Sequence, residues 1–317
     1  MATYTGLITC NTANGNTGIP QCSFDWTTIE YFMLVPKNYM MTQTEIQTAF
    51  ATLQAKAYNS TESLRGYVIG KFIGFEDKST ETTIDTDGYG GVSLGTDGKF
   101  HWVFEYKNGG MNYDILLNTF KNAQDAYDVI FFDKGANAIV GTTPSSNTSG
   151  YVFKGLSLEL LYMPLPKKEA NKVRHYIGIQ LADSDELLKD MAYYVLPNSQ
   201  KVGKIVSLRN MELQPHTNFT TTSGKLRVTA DGGAVSLGPS YGTALAALHA
   251  NWSIVRNDTG AAIAITSITY TAATDSFNFV NASIAAGIEI TITTPTVAQM
   301  TSTVPGFGNA SIVLTTA

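Results

Sequence analysis

From Gln214 to its C-terminus the chain is written as short β-branched and aromatic segments cut by turns. The segments are Leu226-Arg227-Val228-Thr229, Trp252-Ser253-Ile254-Val255, Ile263-Ala264-Ile265, Ile268-Thr269-Tyr270, Phe277-Asn278-Phe279, Ile288 to Ile292 and Ser311 to Leu314. Asp231-Gly232-Gly233, Asn257-Asp258-Thr259-Gly260, Ala286-Gly287 and Pro305-Gly306 separate them. Strands this short, at this spacing, over about a hundred residues predict an immunoglobulin-like β-sandwich. Only Ala244 to Leu248 reads as helix, and no cysteine is available to bridge the sheets.

Charge marks where this module begins. Of 21 basic and 26 acidic residues, seven follow Leu213: Lys225, Arg227, Asp231, Arg256, Asp258, Asp275 and Glu289. The other 40 precede it. Such a step predicts two domains with different surfaces, 1–213 and 214–317. The seam is placed at Leu213-Gln214-Pro215-His216, where proline restricts the backbone. Over the whole chain 44% hydrophobic residues permit a core, while 15% charged is low against a typical ~25%. The net charge of −5 and the lack of any basic run beyond Lys167-Lys168 leave little for sequence-specific nucleic-acid binding. No stretch of about 18 apolar residues is present, so no membrane span is expected. Cys10 and Cys22 form either a small disulfide loop or two thiols. Thiols are favoured, because the N-terminus has no signal-peptide pattern.

The first domain reads as mainly β with one flanking helix. Ile29 to Pro36 is an apolar strand. Thr42-Gln43-Thr44-Glu45 is a capping box, and Ile46, Phe50, Leu53 and Ala57 follow at helical spacing, which predicts a helix over about 42–58. From Leu64 the period switches to two. Phe100 to Tyr106, Val129 to Phe132, Ala138 to Val140, Tyr151 to Met163 and Arg174 to Leu181 are strand candidates. Asp133-Lys134-Gly135 suits a hairpin turn, Tyr113 to Asn122 a short helix, and Asp185 to Lys189 a helical turn. The expectation is a β-sandwich or barrel followed by the immunoglobulin-like sandwich.

Motifs for chemistry are missing. His101, His175, His216 and His249 fall in no metal-binding spacing, and His101 reads as a packed imidazole. Asp85, Asp87 and Gly88 resemble the start of a calcium loop but lack its remaining ligands, and turn chemistry explains them without a metal. Glu76, Asp77 and Glu81 sit around Lys78 in a polar stretch, which suits a solvated loop better than an acid/base pair. No phosphate-cradling glycine loop and no nucleophile elbow occurs. We therefore expect no enzyme, no catalytic residue, no cofactor and no metal. The long polar segment 77–98 is the functional candidate, because long loops in compact domains usually serve function. Asp85, Asp87, Gly88 and Tyr89 mark its tip as an assembly loop, expected to be exposed in a monomer and buried between subunits.

Three groups of residues carry a resemblance. The first is Asn14-Gly15-Asn16-Thr17-Gly18-Ile19-Pro20-Gln21-Cys22 with the strand ending Leu34-Val35-Pro36. The second is Thr86-Asp87-Gly88-Tyr89-Gly90 followed by Gly98 to Phe104, and the third is Tyr127 to Asp133. Together they resemble virion structural proteins of tailed phages of Bacteroidetes hosts, over residues 1–210. The domain order is similar to that of tail-tube proteins. The resemblance implies a homo-oligomeric ring, expected as a hexamer, that stacks with its own kind, joins other virion proteins and encloses a lumen able to conduct DNA. It also implies assembly in the host cytoplasm and an exposed immunoglobulin-like domain in weak contact with host glycans. A capsid or neck decoration protein and a carbohydrate-binding adhesin are the alternatives.

Overall fold

The computed structural model describes residues 7–9, 26–59, 61–86, 88, 91–95, 98–106, 118, 120–121, 126–133, 138–144, 150–164, 167–169, 172–196, 198–230, 232–300 and 302–317. Cys10, Cys22, Asp87, Tyr89, residues 134–137 of the expected hairpin and nearly all of the 113–122 segment lie outside them. The fold is mainly β, built from antiparallel sheets with few helices, and among the described residues no sheet closes into a barrel. The chain divides into two compact units. One comprises 1–57 and 63–205, the other 58–62 and 206–317.

The first unit is organised by β9 (Tyr127–Asp133). Along one edge β9 pairs with β2 (Ile29–Pro36). Along the other it pairs with β12 (Leu156–Tyr162) near its start and with β10 (Ala138–Thr142) near its end. From β10 the sheet continues to β15 (Met191–Val195) and β1 (Leu7–Thr9), with β11 (Tyr151–Lys154) and β3 (Met40–Thr42) as a side branch. From β12 it continues through β14 (Lys172–Leu181) to β8 (His101–Tyr106) and β5 (Phe72–Asp77), with β13 (Lys167–Glu169) against β14. On the far side of β2 lies β4 (Tyr67–Gly70). The path thus begins at β4 and ends at β5, which are consecutive along the chain. The sheet folds back on itself without closing.

Alternation along these strands sends one side chain in two to a shared aromatic core. Trp102, Phe104 and Tyr106 of β8 point inward and meet Phe32, Phe72 and Phe131. Phe72 stacks on Phe104 at 4.7 Å, Trp26 stacks on Trp102 at 4.6 Å, and Phe131 meets Trp102 edge-on at 5.5 Å. Each such pair adds about 0.5–1.5 kcal/mol beyond simple burial. The two central strands are buried on both faces: Met33 and Val35 of β2, and Ile130 and Phe132 of β9, are as inaccessible as their inward neighbours.

The capping box at Thr42 forms as expected. Its hydroxyl accepts from the Glu45 N–H, while Glu45 accepts from the Thr42 N–H at 2.7 Å. The single helix expected over 42–58 is instead two, α1 (Gln43–Gln47) and α2 (Ala49–Ala57). Thr48 interrupts them with φ −112° and ψ 35°, and its hydroxyl donates back to the Thr44 carbonyl at 3.2 Å. Such back-bonding bends helices. The stripe survives the break, with Ile46, Leu53 and Ala57 buried. The predicted turn near 185 is α3 (Asp185–Leu188).

The second unit is a two-sheet sandwich. One sheet runs β16 (Met211–Thr217), β17 (Ser223–Ala230), β22 (Ser276–Asn281), β21 (Ile265–Thr271), with β18 (Val235–Ser236) against β17. The other runs β20 (Ala262–Ile263), β19 (Ser253–Arg256), β23 (Glu289–Thr293), β24 (Ser311–Thr315). This is the strand order of an immunoglobulin-type sandwich. The chain switches sheets at Ala264, between β20 and β21. The expected seam near 214 falls inside β16. There Pro215 is tolerated because β16 is an edge strand and the register shifts between Pro215 and Thr217.

No disulfide joins these sheets; Trp252 occupies their middle. It meets Phe279 edge-on at 5.2 Å, and its indole N–H donates to the Leu245 carbonyl at 3.1 Å. Leu245 belongs to α4 (Gly238–Ala247), which begins well before the Ala244–Leu248 stretch expected to be helical. Gly238-Pro239 reads as a breaker, yet proline is welcome in a first turn, where its missing N–H is no loss. A short α5 (Val297–Met300) precedes β24.

Two features make opposite-to-usual predictions. Gly242 of α4 lies under the Tyr270 ring, so close that an added Cβ would overlap the ring carbons. Gly→Ala in a helix ordinarily gains up to about 1 kcal/mol. Gly242→Ala is expected instead to lose about 1–3 kcal/mol through overpacking, measured by urea denaturation. Asp128 is inaccessible, bound by the Lys37 ammonium at 3.0 Å and the Asn38 N–H at 2.8 Å. Burial raises its carboxyl above the ordinary 3.8, against the lowering pull of those two groups. The folded chain then holds this proton more tightly than the unfolded one. The associated stability is complete below about pH 3.8 and is lost as pH rises through the raised folded value. Asp128→Asn keeps an acceptor for Asn38 and removes the charge. Its melting temperature relative to wild type should therefore climb between about pH 3.5 and 7; a flat or falling difference would contradict the assignment.

Candidate functional site

The segment between β5 and β8 is an arm. Beyond the formal ends of those strands the pairing continues, with the Lys78 N–H donating to the His101 carbonyl at 2.8 Å and the Thr80 N–H to the Lys99 carbonyl at 3.1 Å. Side chains take over further out. The Thr80 and Thr82 hydroxyls accept from the Lys99 and Gly98 N–H groups at 3.0 and 3.1 Å. The Ser79 hydroxyl accepts from the His101 N–H and donates to Asp77. The Gly95 N–H then donates to the Thr83 carbonyl at 2.8 Å, and the tip forms a two-stranded ribbon, β6 (Ile84–Thr86) against β7 (Val92–Leu94).

The ribbon has two unlike faces. Register pairs Asp85 with Ser93 and Thr86 with Val92. Asp85 and Ser93 therefore share one face, and Ile84, Thr86 and Val92 share the other. Among the described residues nothing covers the apolar face: Ile84 is 65% exposed and Val92 70%. With Leu188, also 70%, they are the most exposed large apolar side chains among the described residues.

Leu188 stands beside the root of this same arm. A groove there is walled by the stem at 79–82 and 98–100 and closed on its other side by Ser184 and Leu188 of the α3 region. Lys99 extends from the stem to Glu159 at 2.6 Å, an exposed ion pair.

Of the tip residues expected from sequence, Asp85 and Gly88 are both exposed on the arm, and a Cβ on Gly88 would meet nothing within 4 Å. Asp87 and Tyr89 lie outside the described residues. Among the described residues no group of three or more His, Cys, Asp or Glu side chains could hold a metal. His101 turns away from the core and shares a 2.8 Å hydrogen bond with the Tyr162 hydroxyl. Burial and nearby Lys78 lower its pKa, while Asp77 and Glu76 oppose them. Lys154, Ser157 and Glu186 look like a nucleophile with a base. However, Glu186 accepts from both the N–H and the hydroxyl of Ser157, at 2.6 and 2.8 Å, so the cluster clamps α3 onto β12.

Sequence reading missed Ile84, Val92 and Leu188 as a set. The available signal was Ile84 and Thr86 alternating with Asp85 just before an Asp-Gly turn, a strand pattern inside a polar run. Nothing in sequence signals Leu188, because its exposure depends on how α3 is seated. No protein-family model matches the chain, and no curated protein matches it in sequence.

Proposed function

We propose that this chain is a structural component of a bacteriophage virion, of tail-tube type, whose copies join through the arm into stacked rings. The observation that carries the reading is the uncovered apolar face of the β6–β7 ribbon. A two-stranded ribbon alone is marginal in water. Exposed apolar side chains on a projecting strand pair are what soluble monomers avoid, and a mating surface supplies the missing cover. The resemblance over residues 1–210 names the kind of assembly. The C-terminal unit supports the reading as a module with a complete core of its own, poor in charge and rich in threonine and alanine.

The test is the oligomeric state of the full chain by light scattering and negative-stain electron microscopy. Wild type is expected to form rings or stacked rings. The double substitution Ile84→Asp with Val92→Asp should give a monomer with an unchanged circular dichroism spectrum, since both positions are exposed. A wild-type chain that stays monomeric at high concentration would overturn the proposal. So would an arm variant that assembles as wild type does.

A further inference from the structure

We infer that the open edge of β24 pairs with β24 of a second copy of this chain, antiparallel and centred on Val313. The joint lies in the second unit, goes beyond the arm and does not depend on it.

The other edge strands of the second unit are guarded against pairing. β16 carries Pro215 and a register shift beside it. β18 and β20 have two residues each. β21 shifts register between Ile265 and Ser267, and α4 packs against its Tyr270. β24 has none of these devices. Its five residues keep an unbroken register with β23, and no charged side chain follows Glu289 in the sequence.

Hydrogen-bond phase shows what this edge offers. The Thr294 N–H donates to the Ala310 carbonyl at 2.9 Å, and the Thr316 N–H donates to the Ile288 carbonyl at 2.9 Å. Even-numbered residues of β24 therefore turn their backbone groups to β23, and Ser311, Val313 and Thr315 turn theirs away. Among the described residues β24 pairs with no strand but β23. Side chains leave the same side uncovered. Val313 is 54% exposed, and Ile312 and Leu314 face the core yet stay half-buried. Ile290 and Ile292, their partners on β23, are inaccessible.

Any extended strand could meet the free backbone groups; side-chain order selects the same strand. With Val313 opposite Val313 of the second copy, Ser311 meets Thr315 and Ile312 meets Leu314. Hydroxyls then lie beside hydroxyls and apolar groups beside apolar groups, with no charge to repel its own image. This register also uses every free N–H and C=O of Ser311, Val313 and Thr315 on both copies. A slip of two residues would leave Thr315 or Ser311 unpaired. The joint is isologous and closes at two copies. A single strand pair covers far less than the ~1,200–2,000 Å² of a stable interface. The pair is therefore weak in dilute solution and strengthens where copies are held close together.

The test is register-specific disulfide trapping of the full chain at high concentration under mild oxidation, with Cys10→Ser and Cys22→Ser throughout. Residues opposite each other in a hydrogen-bonded antiparallel pair have Cα atoms about 5.5 Å apart, within disulfide reach. Val313→Cys is expected to give a cross-linked dimer and nothing larger. Ser311 of one copy lies about 13 Å from Ser311 of the other, four residues along the strand, which is out of reach. Ser311→Cys and Thr315→Cys should therefore cross-link when mixed, and about tenfold or more slowly when alone. Val313→Pro removes an N–H that β23 does not use. Added to the mixed pair, it should slow cross-linking about tenfold or more and leave the circular dichroism spectrum unchanged. If that variant does not fold, Val313→Lys, which sets two like charges across the joint, takes its place. The inference is overturned if Val313→Cys stays monomeric, if Ser311→Cys alone cross-links as fast as the mixture, or if the folded position-313 variant leaves the rate unchanged.

Discussion

What the first unit offers to solvent depends on the aromatic packing between β2, β5, β8 and β9. Trp102, Phe104 and Tyr106 occupy alternate positions on β8, so a slip of one residue would carry all three out of the core. That penalty locks the register of β8 against β5. The arm continues this ladder in register to Thr80 and Lys99, and the register shifts by one residue before Thr83 and Gly95. The exposed ribbon is therefore aimed by a buried stack of rings some distance from it. Beyond the ladder, threonine and serine hydroxyls replace the missing backbone bonds.

The second unit solves a different problem with different means. Its sheets lack the disulfide that often ties an immunoglobulin-type sandwich, and they carry few charges. Cohesion falls to Trp252, Phe277 and Phe279 between the sheets and to a helix that closes one end. Tyr270 can lie on that helix only because Gly238 and Gly242, one turn apart, leave room for its ring. Asp275, at φ 48°, completes the corner by accepting from Ser236 at 2.6 Å and Tyr270 at 3.1 Å. Two of the few charged residues here, Asp275 and Arg227, are thus spent on one joint, with a nitrogen to oxygen distance of 3.3 Å.

Which parts of this were legible in sequence depends on the range of each interaction. Strand periodicity, the Thr42 capping box and the sandwich are local or repeat often, and they read correctly. The break at Thr48 and the early start of α4 did not, since both turn on one residue whose local preference is ambiguous. Pro239 is a breaker or a first-turn residue according to whether the residues after it continue as helix, and Thr48 is neutral until its hydroxyl turns back. The seam near 214 was inferred from surface charge, whereas a compact unit is defined by its core, which Met211 and Leu213 already enter. Of the arm, sequence showed the turn and the acidic tip, but the value of Ile84 and Val92 lies in being uncovered, a property of the whole fold.

Uncovered apolar side chains normally mark a risk, and the arm confines that risk. A flat apolar edge on a sheet would accept any strand in any register. A narrow ribbon with Ile84, Thr86 and Val92 on one side and Asp85 and Ser93 on the other confines its apolar surface to one short face. Under the proposed assembly, the like charge of Asp85 on each ribbon disfavours two arms meeting each other, even though their apolar faces match.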